Sequence, residues 1–188
     1  DGRETAPAAA DADYFKDEAG TVMKWREARL GARAVGVPGT LHLLHTVHQQ
    51  FGNHPWADLF KPAIALSREG FFVSPRMAKS IEGAQASLQR FEGTREYFFT
   101  EQGNLLPAGH RLSNPAFADT LEIIANEGIA PFYEGIVGSK LIESLQEDSR
   151  RPALMTAQDL ANYETLSRPP VCARYRGTAV CGMGPPSS

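Results

Sequence analysis

Residues 35–73 read VGVPGTLHLLHTVHQQFGNHPWADLFKPAIALSREGFFV, and the helix signals in this stretch set the reading of the whole chain. Val37-Pro38-Gly39-Thr40 is a turn, and its Thr can cap the next helix by accepting unpaired N–H groups through its side-chain oxygen. Leu41, Leu44, Val47 and Phe51 recur at helical spacing, and Gly52-Asn53 stops the run. A second unit begins near Trp56 and carries Ala57, Phe60, Ile64 and Leu66. It ends at Arg68-Glu69-Gly70, where glycine fills a left-handed backbone position at little cost. Two apolar-faced helices joined by a short proline-containing turn predict a packed pair in a helical scaffold.

The same signals recur outward from this stretch. Upstream, Ala8-Ala9-Ala10 opens an alanine-rich, helix-favouring run that ends near Phe15, and a polar turn follows at residues 16–20. Arg26, Arg29 and Arg33 lie among acidic residues and read as a solvated face. Downstream, Ser74-Pro75 is a cap followed by proline at the first helical position, with Met77, Ile81, Ala84 and Leu88 on one face. Ser113-Asn114-Pro115 opens another helix, for which Phe117, Leu121, Ile124 and Ala125 form the expected buried face. Residues 136–146 place Val137, Leu141 and Leu145 in register. Thr156 and Asp159 have the spacing of a capping box.

Near the end the period changes. Residues 170–175 and 178–181 flank Arg176-Gly177 and read as a hairpin. A two-residue loop puts Cys172 opposite Cys181 at a non-hydrogen-bonded pair, where side chains approach most closely. A cross-strand disulfide is then feasible in an oxidising compartment, and two buried free thiols are the alternative. His42, His45 and His48 repeat every three residues, which raises a metal site. Steps of three drift around a helix and no carboxylate lies among them, so these read as helix histidines without a metal.

At 188 residues, 42% apolar and 22% charged, the composition is that of a globular chain with its own core. A net charge of −3 argues against a nucleic-acid surface. No apolar run approaches the roughly 20 residues of a membrane helix. The chain opens on Asp1-Gly2-Arg3 and closes on Pro185-Pro186-Ser187-Ser188 without initiator Met or signal pattern, and we expect it to be an internal segment of a longer protein, one partial domain over residues 1–188.

Several ordered motifs resemble one family. Arg3-Glu4-Thr5-Ala6-Pro7, then V-G-V-P-G-T at 35–40, P-A-I-A-L-x-x-E-G-F at 62–71 and V-S-P at 73–75 are similar to the large subunit of γ-glutamyltranspeptidases, a branch of the N-terminal-nucleophile hydrolases. The resemblance continues through Phe99, Gly103, Leu106, Gly109, Leu112 and Pro115. It extends to residues 130–135 and 159–163, and to Met183-Gly184-Pro185-Pro186-Ser187-Ser188, where Gly184 replaces a proline of the family pattern. It implies an α+β fold: a mostly helical segment with a short strand near Arg3 and a C-terminal β-hairpin, part of an αββα sandwich. The implied activity is transfer of γ-glutamyl groups, from donors such as glutathione, to water or amino acids. The implied nucleophile is the N-terminal threonine of a small subunit cut from the same precursor, which this chain does not contain.

The resemblance assigns Arg3 to the α-carboxylate of the substrate, a role suited to a planar guanidinium fork. It implies no cofactor, a periplasmic or extracellular location, and no catalytic residue within the chain. Ser187 and Ser188 have no neighbouring base and are not read as nucleophiles. A β-lactam side-chain acylase of the same superfamily and a non-catalytic helical binding module are the competing readings. An internal segment should also expose an apolar face where missing chain packs.

Overall fold

The computed structural model describes residues 1–17, 19–148 and 150–184. The sequence reading of Ser187 and Ser188 lies outside the described residues. Most regular structure is helical, with two small antiparallel sheets. The alanine-rich run forms no helix: Ala10 N–H bonds Pro7, Tyr14 N–H bonds Asp11, and the Asp11 carboxylate accepts from Asp13 N–H, which together make successive turns. Short polar side chains offer the backbone these local alternatives, and here they outweigh the propensity of three alanines. The polar turn that follows is held by the Asp17 carboxylate, which accepts from the N–H groups of Ala19 and Thr21. The first helix, α1, is the single turn Trp25–Ala28, and a 3-10 turn spans Ala32–Ala34.

The central stretch forms α2 (Thr40–Phe51), a 3-10 helix (Trp56–Phe60) and α3 (Lys61–Glu69). Two expectations fail here. Thr40 is the first helical residue, the cap position belongs to Gly39, and no side chain among the described residues caps this helix. Nor do α2 and α3 pack as a pair, because α3 and the preceding 3-10 helix lie against α6 (Pro115–Glu127). Trp56 Nε1–H donates to the Ile124 carbonyl at 3.0 Å, and Asn114 N–H donates to the Ser67 carbonyl at 2.7 Å. Leu41 packs against the larger core, but the rest of the α2 stripe faces away from the described chain, with Leu44 55% and Phe51 73% exposed. Gly70 ends α3 with φ 82°, the left-handed geometry expected of it.

Beyond Gly70, β1 (Phe71–Phe72) pairs with β2 (Arg111–Leu112). Between them lie α4 (Pro75–Leu88) and α5 (Glu92–Phe98). Ser74 caps α4 by accepting from Met77 N–H, and Asn114 caps α6 by accepting from Phe117 N–H. These elements enclose a small core of Val73, Ile81, Leu106 and Leu112. On α6 Ile124 and Ala125 are buried as expected, but Ala118 takes the inward place expected of Phe117, which points outward where α3 packs against the helix.

The larger core joins α7 (Ala130–Tyr133), α8 (Ile136–Gln146) and α9 (Ala157–Ala161) with the Val37 turn. Met155, Leu160 and Val37 are almost fully buried there, each contributing on the order of 1.5–3 kcal/mol of apolar transfer free energy. On α8 the buried residues are Gly138, Ile142 and Leu145, so the inward face is rotated from the Val137, Leu141 and Leu145 stripe. Gly138 lets α8 approach closely: a Cβ there would run into the Phe132 carbonyl. The capping box on α9 is complete, with Thr156 Oγ1 accepting from Asp159 N–H and Asp159 Oδ2 accepting from Thr156 N–H. The chain closes on the hairpin β3 (Val171–Tyr175) and β4 (Thr178–Gly182), none of whose residues is buried.

Candidate substrate site

The short strand expected near Arg3 is a single antiparallel bridge between Thr5 and Val37. Thr5 N–H donates to the Val37 carbonyl at 3.3 Å and Val37 N–H returns a bond to Thr5 at 2.8 Å. That bridge lays the Arg3 segment along the V-G-V-P-G-T turn, which explains the turn's glycines better than conformational freedom does. A Cβ on Gly36 would meet the Glu4 side chain at 2.9 Å, and one on Gly39 would collide with the Tyr163 hydroxyl.

Two tyrosines clamp this layer from below. Tyr163 Oη donates to the Arg3 carbonyl at 2.9 Å, and Tyr133 Oη donates to the Pro38 carbonyl at 2.9 Å while accepting from His42 N–H at 3.1 Å. The rings stack with centroids 5.9 Å apart. Burial pushes the Tyr133 phenol up to about 12, with the His42 N–H opposing, and burial followed by the Glu4 charge raises Tyr163. Both therefore stay neutral donors at physiological pH.

The Arg3 side chain, 33% exposed, borders a cleft of about 310 Å³, lined also by Thr5, Glu164, Leu166 and Arg168. Its Nε–H donates to Asp1 Oδ1 at 2.9 Å, and Nη2 also pairs with the Asp1 carboxylate. Asp1 is tied by backbone bonds in both directions to Leu166, at 2.8 and 3.1 Å. Arg168 reaches the same carboxylate, with Nε–H to Oδ2 at 2.8 Å. The arrangement is a rigidly backed guanidinium at the edge of an open cleft, suited to a planar anion such as a carboxylate. Sequence reasoning singled out Arg3 and missed Asp1, Arg168 and the two tyrosines. Of these, the two tyrosines carried a signal, through their places in the 130–135 and 159–163 motifs.

The three helix histidines have separate duties. His42 Nδ1 pairs with Thr165 Oγ1 at 2.8 Å and sets its ring edge-on to Tyr133 and Tyr163. His45 lies edge-on to Trp56, and His48 Nε2 pairs with the His54 carbonyl at 2.8 Å. Among the described residues, no group of three or more His, Cys, Asp or Glu side chains is placed to hold a metal. At the hairpin tip Arg176 and Gly177 both have positive φ, and Cys172 pairs in register with Cys181, to which the structure joins it by a disulfide. No described helix is long and apolar enough to cross a membrane.

The fold has solved counterparts. The structure of Helicobacter pylori gamma-glutamyltranspeptidase superposes with a TM-score of 0.91 at 30% identity, covering 100% of this chain and 52% of that one. The family model described as gamma-glutamyltranspeptidase matches residues 1–188, and the chain belongs to that family. Glutathione hydrolase 3 of Arabidopsis thaliana is 36% identical over 187 residues, spanning all of this chain and 28% of that protein. Acylase ACY 1 proenzyme of Pseudomonas sp. strain V22 is 34% identical over 193 residues, again over all of this chain and 34% of its own length. The chain thus spans about a third of the curated relatives it matches, several of which are named as proenzymes.

Proposed function

We propose that this chain is part of the large subunit of a self-cleaving precursor whose mature form transfers γ-glutamyl groups from donors such as glutathione. The carrying observation is the family match over the full chain, with Arg3 of the R-E-x-A-P motif set at the edge of a cleft, its guanidinium paired with Asp1 and its carbonyl held by Tyr163. Arg3 binds the donor's α-carboxylate. The acyl-enzyme forms on a threonine at the new N-terminus of the small subunit, whose α-amino group acts as base. Water or an amino acid then accepts the γ-glutamyl group. The location is periplasmic or extracellular, where the Cys172–Cys181 bond would persist.

The remaining layers of the sandwich come from chain outside this segment. The outward-facing Leu44, Val47 and Phe51 of α2, with Val171 and Val180 on the hairpin, supply the apolar surface such layers would cover. The test is to express the complete reading frame and sequence the N-terminus of any smaller band. Two chains, the smaller beginning with Thr, together with turnover of a γ-glutamyl anilide, are expected. A single uncleaved chain without turnover would overturn the proposal. The acylase relative favours one second reading, a β-lactam side-chain acylase of the same superfamily. It would use Arg3 for the same chemistry, and turnover of a glutaryl amide in preference to the γ-glutamyl anilide would select it.

A further inference from the structure

We infer that Asp1 and Arg168 are positioning residues for Arg3, fixing the plane of its guanidinium for a substrate carboxylate. The inference rests on the reading of Arg3 given above. Arg3 has a long stem whose rotamer freedom must be given up for it to meet a ligand in one orientation. Asp1 supplies that restraint, because its carboxylate pairs with the Nε–Nη2 edge of the guanidinium and also accepts from Arg3 N–H at 3.2 Å. One residue thus grips both ends of the arginine. The carboxylate is itself restrained: its side chain is only 5% exposed, and its backbone is locked to Leu166. Two residues beyond Leu166, Arg168 closes the set by pairing with the second carboxylate oxygen.

A carboxylate this buried would be costly alone and is tolerable here because two cations share it. Ion pairing for stability alone would be a weak use of such a site, since the cost of taking a carboxylate out of water offsets most of what its pairs return. What the geometry adds is direction. The Asp1 contact takes the Nε–Nη2 edge of the guanidinium and so sets the plane in which the group presents its donors. Arg168 acts one step back, holding the group that holds Arg3.

The test uses the full-length, self-cleaved enzyme, a γ-glutamyl anilide and its α-carboxamide counterpart. Asp1→Asn and Arg168→Gln are each expected to raise KM for the carboxylate donor on the order of ten-fold, with kcat held within about two-fold and self-cleavage intact. Neither should matter for the carboxamide donor, and neither should add to the loss in an Arg3→Ala background. Arg168→Lys should restore part of the KM. Equal losses on both donors, or effects additive with Arg3→Ala, would show a merely structural role and overturn the inference. Arg3→Ala with unchanged KM would instead remove Arg3 from substrate binding, and the inference with it. Should Asp1→Asn fail to mature, Arg168→Gln carries the same comparison, because that side chain is half exposed and its loss leaves Asp1 paired with Arg3.

Discussion

Gly39 and Tyr163 stand in the contact on which the Arg3 segment rests, and the two make opposite demands on substitution. Tyr163→Phe removes one hydrogen bond to the Arg3 carbonyl and should cost about 1 kcal/mol in urea unfolding. Gly39→Ala forces a methyl into an occupied space and should cost roughly 1–3 kcal/mol. Removing the hydroxyl should not rescue Gly39→Ala, because the Tyr163 ring carbon and the Gly2 carbonyl also crowd the new Cβ. Full rescue in the double variant would mean the hydroxyl alone sets the spacing. His45 adds a pH dependence at this scale. Its pKa is lowered by burial first and then by the charges of His42 and His48, so the folded state prefers the neutral ring. Stability from this group is complete above the unfolded value near 6.5 and is lost as pH falls from there through the lowered folded value. His45→Gln should flatten the stability curve below about pH 6.5, and an unchanged slope would assign the titration elsewhere.

Elements in this chain are held by local signals, and so most of them were legible. Ser74, Asn114 and Thr156 cap the helices they precede, and Gly70 ends α3, because each acts on backbone within a few residues. Asp159 does more than close its own capping box, since it also accepts from Ala8 N–H at 2.8 Å. Burial pushes its carboxyl up, but the hydrogen bonds from Ala8 and Thr156 outweigh this and hold it below the usual value. The stability it confers is present above the unfolded pKa and lost as pH falls through the folded one. Asp159→Ala should therefore cost about 1–2 kcal/mol at neutral pH and less in acid, measured by urea titration at both. Which face of a helix turns inward was less legible, because that is decided by distant neighbours. Ala118 replaces Phe117 on α6 where α3 comes close, and α2 turns Leu41 and His42 toward the larger core while Leu44, Val47 and Phe51 point out. The Asp1–Arg168 pair lay beyond local reading altogether, spanning 167 residues. The hairpin is the opposite case, fully local and touching little else. Reduction of the Cys172–Cys181 bond should raise amide exchange in β3 and β4 alone, leaving both cores protected.

At the scale of the molecule, the described chain buries two modest cores and leaves large apolar side chains uncovered on several elements. Isolated exposed leucines need no explanation. The stripe of Leu44, Val47 and Phe51 does, because helical spacing sets all three on one face and no described element covers them. If that face is covered by the rest of a precursor, one substitution should act with opposite signs in two contexts. Leu44→Glu in the isolated 188-residue chain should reduce self-association in sedimentation and weaken binding of a hydrophobic dye, since a charge replaces exposed hydrocarbon. In the full-length precursor the same change places a carboxylate in a dry contact, and the several kcal/mol this costs should lower soluble yield and slow self-cleavage. Phe51→Glu should behave alike, and Leu59→Glu, on a different element, serves as an independent second position. Improvement in both contexts would mean that α2 faces solvent in the whole protein, and the apolar stripe would then have to be explained by a partner other than the protein's own chain.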